Sequence, residues 1–359
     1  MENLVLNKKF WGNKSVLITG HSGFKGGWLS LWLSELGARV HGYGLEPNTS
    51  PNLFNILNLQ NRLSSSTFGD ILDLSTLENT LQEVAPEVIF HLAAQSLVRE
   101  SYNSPLSTLK TNIIGTANVM EVCRSVPSIK TIVNVTTDKC YENKDWSWPY
   151  RENDRLGGRD PYSASKACAE IAAAAYRDSF LTEANIHLAS GRAGNVIGGG
   201  DWATDRLIPD FLRALDIGET LTIRSPNAVR PWQHVLEPLS GYLMLAEKLY
   251  SEGNAFAEAW NFGPNDDDTK SVSWIVDQLC EHISGAKWQT DNAQQPYEAG
   301  LLKLDSSKAK TKLGWKPCWN LETALNKTLD WHQAWKKDYD MAVFTKAQIE
   351  AYINSCAAS

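Results

Sequence analysis

Apolar, β-branched runs alternate with longer stretches of helical periodicity through the first half of the chain. The run SVLIT at Ser15–Thr19 and the run VIFHL at 88–92 are typical of strands buried on both faces. Further strands are predicted at 39–43, 68–71, 131–135 and 186–190, and helices at 26–36, 75–84, 105–126, 162–180 and 236–250. Strands separated by helices in this way pair in parallel and need cover on both faces of the sheet. The pattern therefore predicts an α/β fold with a Rossmann-type, doubly wound parallel sheet.

The second half of the chain has a looser pattern than the first. Glycines, prolines and the acidic run at 266–268 divide it into short elements after about residue 191. The chain has 359 residues, which is more than one ordinary core needs and enough for two packed lobes. We expect a first domain at 1–191, with 236–262 packing back on it, and a smaller α/β lobe formed by 192–235 and 263–359.

Composition excludes several classes of protein. The chain carries 34 basic and 41 acidic residues, a formal charge of −7, and no stripe of Lys and Arg, so we expect no nucleic-acid partner. No apolar run reaches the roughly 18–20 residues of a membrane span, and the opening residues lack the features of a signal peptide. The six cysteines and seven histidines show no metal-ligand spacing. We therefore expect a cytoplasmic protein with reduced thiols, no bound metal and no membrane partner.

A glycine-rich loop follows the first predicted strand and opens the first predicted helix. Gly20, Gly23 and Gly26 are spaced G-x-x-G-x-x-G within the sequence TGHSGFKG. In such a loop one glycine permits the tight turn, one lets a pyrophosphate approach the backbone, and one packs the helix on the strand. The N–H groups and the positive end of the helix then hold the anion. We expect a dinucleotide to bind here.

The end of the second predicted strand distinguishes the two nicotinamide dinucleotides. An acidic side chain there binds the ribose hydroxyls of NAD, and an arginine binds the 2′-phosphate of NADP. The chain has the sequence GYGLE at 42–46 and no Lys or Arg from there until Arg62. Since a 2′-phosphate would lack a partner, the sequence favours NAD over NADP as the cofactor.

Two groups of polar residues predict the chemistry. Tyr162 and Lys166 lie four residues apart, hence on one face of a predicted helix, where an ammonium and a positive nicotinamide ring favour the phenolate that a base requires. Thr137, Asp138 and Lys139 follow the fifth predicted strand. The threonine hydroxyl is enough to hold a substrate oxygen during hydride transfer. The adjacent acid and amine are surplus to that step and predict that a second bond breaks, by loss of a hydroxyl as water.

Together these motifs resemble the extended short-chain dehydrogenase/reductase family. The resemblance rests on the TG before the glycine loop, on Phe24 within it, and on the Tyr-x-x-x-Lys pair. It implies that Asp70 and Ile71 contact the adenine, and that small residues after the fourth strand let the cofactor lie against the backbone. The cofactor-binding residues that it implies are Gly20, Gly23, Phe24, Gly26, Asp70, Ile71, Leu92, Ala93, Ala94, Tyr162 and Lys166.

A second resemblance is to the nucleotide-sugar 4,6-dehydratases within this family. Thr-Asp-Glu marks those that act on dTDP-glucose, whereas Thr-Asp-Lys followed by Cys-Tyr, as at 137–141, is similar to those that act on CDP-glucose. The segments HLAAQSLVRESY, GRAGNVIGGGDW and RPWQHVLEPLSGY carry the same similarity. It implies NAD-dependent conversion of a CDP-hexose, CDP-D-glucose, to its 4-keto-6-deoxy derivative plus water, in deoxysugar biosynthesis. A C4 epimerase, or a dehydratase for dTDP, UDP or GDP sugars, stays an alternative.

The resemblance also implies a reaction cycle in which the cofactor is regenerated. Tyr162 takes the proton of the C4 hydroxyl while C4 gives a hydride to NAD⁺. Asp138 then protonates the departing C6 hydroxyl as the C5 proton is removed, after which the hydride returns to C6 and a proton returns to C5. Lys139 is either the C5 base or a group that stabilises the enolate, because the adjacent carboxyl group opposes the neutral amine that a base requires.

Arginines in the second lobe are expected to hold the substrate diphosphate, because guanidinium matches phosphate oxygens in a bidentate way. Arg192 is one candidate, and the resemblance implies that Asn195 and the Arg-x-Trp element at Arg230 bind diphosphate and ribose. The expected substrate-binding residues are Gln95, Ser96, Asn195, Arg206, Arg230 and His234.

Two further expectations concern the helices and the tryptophans. The helices at 105–126 and 162–180 are expected to pair with those of a second copy in a homodimer or homotetramer. Trp202 and Trp232 lie inside the motifs above and are candidates to line the base or sugar pocket, with packing as the alternative.

Overall fold

The structure is a computed structural model that describes residues 7–283, 285–291, 293 and 296–358. Its strands are β1 (Ser15–Thr19), β2 (Arg39–Gly44), β3 (Ser65–Phe68), β4 (Val88–His91), β5 (Thr131–Val135), β6 (His187–Ala193), β7 (Asn195–Ile197), β8 (Leu221–Ile223), β9 (Val229–His234), β10 (Ala259–Phe262), β11 (Thr269–Ser271) and β12 (Trp288–Thr290). Its α-helices are α1 (Lys8–Trp11), α2 (Phe24–Glu35), α3 (Leu53–Ile56), α4 (Leu74–Val84), α5 (Val98–Asn103), α6 (Pro105–Leu109), α7 (Gly115–Ser125), α8 (Pro161–Tyr176), α9 (Leu207–Ile217), α10 (Leu236–Glu252), α11 (Val272–His282), α12 (Leu321–Lys336) and α13 (Met341–Ala358). One π-helical turn connects α6 to α7, and another extends α8.

A parallel sheet of seven strands lies at the centre, in the order β10–β6–β5–β4–β1–β2–β3. β1 is buried along its whole length and lies between β4 and β2. The strand order therefore reverses at β1, with β2 and β3 on one side and β4, β5 and β6 on the other. In open parallel sheets ligands bind at such a reversal, beyond the carboxyl ends of the strands. The predicted Rossmann-type fold is confirmed. The space beyond the ends of β1, β4 and β5 is called the crevice below.

The third predicted strand is wrong in position. β3 covers Ser65–Phe68 rather than 68–71 and pairs in parallel with β2 at the edge of the sheet. Its sequence SSTF is mostly polar, because an edge strand that is only half-buried does not need an apolar run. The chain turns at Gly69, where a Cβ would lie 2.6 Å from the Tyr43 hydroxyl oxygen. The residues predicted to close this strand therefore lie in the loop after it.

The second half of the chain builds smaller sheets and helices beside the first. β7, β9 and β11 form one sheet, β8 and β12 form another, and apolar side chains of α9, α11 and α12 share a core with them. α10 contacts β5 and β6, and β10 pairs with β6, so 236–262 lies against the first half. α13 contacts α2, although the predicted division assigns it to the second lobe. The division of the chain into two domains stays a prediction.

Tryptophans fill much of the core. Trp11, Trp28, Trp32, Trp260, Trp315 and Trp331 are fully buried. Trp202 contacts two other tryptophan rings, at centroid distances of 5.8 and 5.2 Å. Trp232 is buried and donates its Nε1–H to the Lys270 carbonyl oxygen at 3.0 Å. Both site candidates thus have packing partners.

The cysteines differ from the prediction. Cys318, in the loop before α12, and Cys356, on α13, form a disulfide across 38 positions. The expectation that all six thiols are reduced is therefore wrong, because packing of α13 brings together two cysteines that no short motif connects. Within the described residues, no group of His, Cys, Asp and Glu side chains could hold a metal ion. No helix in the described part of the chain has the length and apolarity that crossing a membrane demands.

Candidate active site

The glycine loop lies where β1 ends, beside the end of β4. Gly20 has a φ of +76°, and a Cβ on it would lie 2.8 Å from the backbone nitrogen of Ala93. A Cβ on Gly26 would lie 2.1 Å from the carbonyl oxygen of Gly20. Both contacts are with backbone atoms, which cannot relieve a clash by a change of rotamer as a side chain can. Glycine at these two positions therefore lets the loop, β4 and α2 approach closely.

The first turn of α2 fits a phosphate group. Gly23 is the N-cap of this helix and offers no side-chain hydrogen bond to its N–H groups, and the helix begins at Phe24. Free N–H groups at the positive end of a helix are a common phosphate site. The bare loop backbone and this helix end together can accommodate the diphosphate of a dinucleotide, so the residues present fit NAD.

The residues after β4 are held against the end of β1. The N–H groups of Leu92 and Ala93 both donate to the Thr19 hydroxyl oxygen, at 3.1 and 3.2 Å. Leu92, Ala93 and Ala94 are half-buried. The small side chains at 93 and 94 leave backbone accessible beside the glycine loop, as a cofactor lying there requires. Their role in binding it stays a prediction.

Asp70 and Ile71 lie in the loop after β3. Asp70 Oδ1 accepts a hydrogen bond from the Leu72 N–H at 2.9 Å, so one carboxylate oxygen already shapes this loop. The Ile71 side chain is buried and packs closely on Gly115 of α7, where a Cβ would come within 2.4 Å of it. The Ile71 side chain is thus committed to packing, and its carbonyl oxygen accepts from Asn118 Nδ2 at 3.0 Å, so the adenine contact stays a prediction.

Thr137, Asp138 and Tyr162 lie together between the end of β5 and the start of α8. The Thr137 hydroxyl donates to Asp138 Oδ1 at 3.0 Å, and the Thr137 side chain lowers the pKa of the Tyr162 phenol. All three side chains are buried. Asp160 caps α8 by accepting from the Ser163 N–H at 2.9 Å, which sets Tyr162 on the first turn. The structure brings these three predicted catalytic residues together.

Asp138 combines a buried carboxyl group with a free oxygen. Burial raises its pKa, and this effect outweighs the lowering by Lys139 and by the hydrogen bond from Thr137. Among the described residues, its Oδ2 has no hydrogen-bond partner. This oxygen lies beside Gly194, where a Cβ would come within 3.0 Å of it. A raised pKa and an unpartnered oxygen suit a group that gives a proton to a substrate.

Burial acts in opposite directions on the tyrosine–lysine pair. It raises the pKa of Tyr162 to about 12, although Thr137 lowers it. It lowers the pKa of Lys166 to about 8, although Glu170 raises it. For these side chains alone the loss of solvation is the larger effect, and the expectation that the lysine and the nicotinamide ring together favour the phenolate stays a prediction. The lowering of the Tyr162 pKa by the positive nicotinamide ring also stays a prediction.

Arg192 binds a carboxylate in the interior. Its Nη2 donates to Glu170 Oε2 at 2.8 Å, and its Nη1 donates to the Tyr141 hydroxyl oxygen at 2.8 Å. The other Glu170 oxygen accepts from the Thr136 hydroxyl. The prediction that Arg192 binds the diphosphate is therefore wrong, since its guanidinium is committed to this network. Glu170 was not predicted, although its place one helical turn after Lys166 is a signal.

Lys25 is a further site residue that was not predicted. Burial and the charges of Arg206 and Lys166 together lower its pKa to about 7, although Asp138 raises it. The Lys25 amine thus interacts electrostatically with predicted site residues. Its signal was a cation on the first turn of the helix that follows the glycine loop. The predictions for this loop rest on its glycines and on Phe24, and not on Lys25.

Glu298 joins Lys139 to Arg230 at the edge of the crevice. Its Oε1 lies 3.2 Å from Lys139 Nζ and 3.4 Å from Arg230 Nη2. Burial acts to raise the pKa of Glu298, but the two cations outweigh it and lower the pKa to about 2. Arg230 Nη1 donates to the carbonyl oxygens of Val229 and Gly300, at 3.0 and 3.3 Å. Glu298 was not predicted, because it lies 159 positions from Lys139 in a segment without a motif.

Ser96 and Arg206 meet across the crevice. Arg206 Nη2 donates to Ser96 Oγ at 2.9 Å, and its Nη1 donates to Asp201 Oδ2 at 2.8 Å. The Gln95 amide is engaged within its own loop, where Nε2 donates to the Leu97 carbonyl oxygen at 3.0 Å. Ser96 and Arg206 are thus bonded to each other, and their binding of substrate stays a prediction, whereas the Gln95 side chain supports the loop.

Asn195 and His234 lie on neighbouring strands with different surroundings. Asn195 is half-buried on β7, opposite Trp232. The His234 ring is fully buried between Trp28 and Trp319, at centroid distances of 5.8 and 5.0 Å, and burial lowers its pKa to about 3. The structure does not bring His234 to the crevice. The prediction that it binds substrate is therefore wrong, because the two tryptophans enclose it.

Comparisons with known sequences agree with these motifs. The profile of the GDP-mannose 4,6 dehydratase family matches residues 17–328. The CDP-glucose 4,6-dehydratase of Salmonella typhimurium is 51% identical over 357 residues, which cover 98% of this chain and 99% of that protein. The dTDP-glucose 4,6-dehydratase of Xanthomonas campestris pv. campestris is 26% identical over 341 residues, 89% of this chain and 94% of that protein.

Solved structures share the fold. The UDP-glucose 4-epimerase of Thermotoga maritima, solved with UDP-glucose, has a TM-score of 0.77 at 24% identity, over 89% of this chain and 99% of that one. The dTDP-glucose 4,6-dehydratase of Bacillus anthracis, solved with NAD, has a TM-score of 0.74 at 24% identity, over 92% and 99%. Likeness at this level of identity shows the fold. The profile match and the Salmonella relative show more than the fold: the chain belongs to the GDP-mannose 4,6 dehydratase family, within the extended short-chain dehydrogenases/reductases.

Proposed function

We propose that this chain is an NAD-dependent hydro-lyase that converts CDP-D-glucose to CDP-4-keto-6-deoxy-D-glucose and water. The observation that carries the proposal is buried Asp138: its Oδ1 accepts from the Thr137 hydroxyl, and its Oδ2 has no hydrogen-bond partner in the part of the chain that the structure describes. Expulsion of a hydroxyl needs an acid there, whereas epimerisation at C4 does not. Identity of 51% to the CDP-glucose 4,6-dehydratase of Salmonella typhimurium supports the choice of substrate.

The first part of the reaction is oxidation at C4 of the sugar. NAD held at the glycine loop would supply the acceptor for the C4 hydride and the hydride needed at C6. Tyr162 takes the proton of the C4 hydroxyl, and Thr137 holds the same oxygen, since Thr137 is close enough to act on the pKa of the Tyr162 phenol. Lys166 adds a positive charge one helical turn away on α8.

The second part is loss of water across C5 and C6. The C4 ketone acidifies the C5 proton, so that its removal and the departure of the C6 hydroxyl become feasible. Asp138, whose raised pKa favours the protonated carboxyl, gives its proton to that hydroxyl. Delivery of the hydride to C6 and of a proton to C5 then completes the product. Lys139 keeps two candidate roles, as the C5 base or as a cation that stabilises the enolate.

Incubation with CDP-D-glucose and NAD, followed by NMR of the sugar, tests the proposal. We expect the C6 hydroxymethyl signals to give way to a C6 methyl signal beside a C4 ketone. An epimerase returns a hexose with all its oxygens, and that result would overturn the proposal. A parallel panel of dTDP-, UDP- and GDP-hexoses tests the identity of the nucleotide. Preferred turnover of one of these would support the dehydratase reaction but show that CDP-D-glucose is not the preferred substrate.

We further propose that the enzyme is a homodimer that pairs through the helical layer of α6, α7 and α8. Exposed apolar side chains lie in this layer, namely Leu106, Ile114, Ile171 and Phe180. α8 contacts both α6 and α7, so two copies can stack the same helices against each other. Light scattering after size exclusion is expected to give twice the chain mass. Four times the mass would indicate the homotetramer, and a monomer would contradict the proposal.

The proposed product fits deoxysugar biosynthesis for surface polysaccharides such as the O-antigen of lipopolysaccharide. Both NAD and nucleotide sugars are cytoplasmic metabolites, so we propose a cytoplasmic location. The Cys318–Cys356 disulfide is unusual for that compartment. Thiol titration of the protein purified without reductant tests whether this bond forms: four titrated thiols support the disulfide, and six contradict it.

A further inference from the structure

Arg230, the arginine proposed to bind the diphosphate, already has an anionic partner in this chain. Its side chain is 4% exposed, and its Nη1 is committed to the carbonyl oxygens of Val229 and Gly300. Its Nη2 faces Glu298 Oε1 at 3.4 Å. The part of the guanidinium that could take a phosphate oxygen is therefore taken up by a carboxylate.

Glu298 can leave this position without moving its backbone. Its side chain is 41% exposed, whereas that of its other partner, Lys139, is 14% exposed. The backbone on both sides is anchored, since the Tyr297 carbonyl oxygen accepts from a hydroxyl of α5 at 3.0 Å, and the Gly300 N–H donates to Asp145 Oδ1 at 3.1 Å. A glutamate between two such anchors can turn its carboxylate into water by side-chain rotation alone.

We propose that Glu298 is the internal counter-ion of the diphosphate subsite. In the free enzyme it neutralises Arg230 and Lys139, and a phosphate oxygen of the nucleotide replaces it when substrate binds. Two largely buried cations without an anion would cost free energy, and a phosphate oxygen satisfies the same donors that the carboxylate does. The inference rests on the proposed function, which makes the substrate a nucleoside diphosphate sugar, and on the predicted role of Arg230 in binding its diphosphate.

The exchange also links binding to the second half of the reaction. The oxygen that Glu298 presents to Arg230 is the one that contacts Lys139 Nζ. When the carboxylate leaves, the Lys139 amine exchanges this side chain for the bound ligand at the time the sugar is bound. Glu298 is thus a positioning residue that acts through these two cations.

The test measures nucleotide binding by calorimetry on the full-length protein with NAD, comparing the wild type with Glu298→Gln. Because the variant has no carboxylate to displace, we expect its Kd for CDP to be about three- to tenfold lower, the size of one half-exposed ion pair. Cytidine, which has no phosphate, is expected to bind both proteins equally. CDP binding by the variant is also expected to weaken more steeply with added salt.

A gain in affinity cannot arise from a damaged fold, which makes the result specific. Glu142→Gln is the matched control, because it removes one negative charge that pairs with Lys144 and Arg155 instead. The counter-ion proposal is overturned if Glu298→Gln binds CDP no more tightly than the wild type does. If Glu298→Gln does not fold, Glu298→Ala takes its place in the same test. A wild type that binds none of CDP, dTDP, UDP and GDP instead overturns the proposed function.

Discussion

Replacing Glu170 with Gln would leave Arg192 as an unpaired charge in the interior. The two side chains are each 4% exposed and 2.8 Å apart, and Gln can still accept from the Thr136 hydroxyl. Removal of one partner from such a pair costs about 3–5 kcal/mol, because the other ion stays desolvated. With an unfolding entropy of about 2.1 cal/mol/K per residue, that loss lowers the Tm of this chain by roughly 4–7 °C.

Scanning calorimetry at neutral pH measures this loss, and Glu142→Gln again serves as the control. The partner of Glu142, Arg155, is 81% exposed, and such surface pairs contribute about 0–1 kcal/mol. The control should therefore lose no more than about 1–2 °C. A Tm for Glu170→Gln that matches the control would refute the reasoning, since the buried pair would then be worth no more than an exposed one.

The same variant has a second effect, on catalysis. Glu170 raises the pKa of Lys166, which burial lowers to about 8. Without that carboxylate the pKa of Lys166 falls further, so its ammonium is lost at a lower pH. We expect the alkaline limb of the rate–pH profile to move to lower pH in Glu170→Gln. An unchanged profile would show that Glu170 supports the fold but does not act on Lys166.

Three further predictions concern the site. Asp138→Asn removes the proton donor and should lower kcat for dehydration by about 10²–10⁴-fold. Because burial raises the pKa of Asp138 above its unfolded value, the ionised carboxyl destabilises the fold as pH rises above about 4. The variant should therefore have a higher Tm than the wild type at pH 7 and the same Tm below about pH 4. Lys139→Ala should still oxidise C4 in a single turnover, seen as absorbance of reduced cofactor, while exchange of the C5 hydrogen with deuterated solvent is lost; retained exchange would exclude both candidate roles of Lys139. Gly26→Ala should abolish NAD binding measured by calorimetry, because its Cβ would lie 2.1 Å from the Gly20 carbonyl oxygen, and a normal Kd would contradict that clash.

Local patterns were sufficient for the central sheet and for residues that adjoin a motif. β1 and β5 agree with their predicted bounds, because continuous apolar runs buried on both faces are a strong signal. The spacing of Tyr162 and Lys166 places them on one helix face by geometry that is independent of the rest of the fold. The position of β3 failed, since a polar edge strand is defined by its pairing with β2 and not by its own residues.

The sequence alone was enough to indicate a cofactor loop, a base and an acid, because each depends on residues close together in the chain. Packing determined which groups are paired and which are free. It enclosed His234 between tryptophans, committed Arg192 to an interior carboxylate, and set Glu298 against Lys139 across 159 positions. It also left Asp138 Oδ2 without a hydrogen-bond partner among the residues that the structure describes. The reason is physical: Coulomb energies and solvation depend on distance and exposure. The order of residues limits which charges can meet, but only the folded chain determines which ones do.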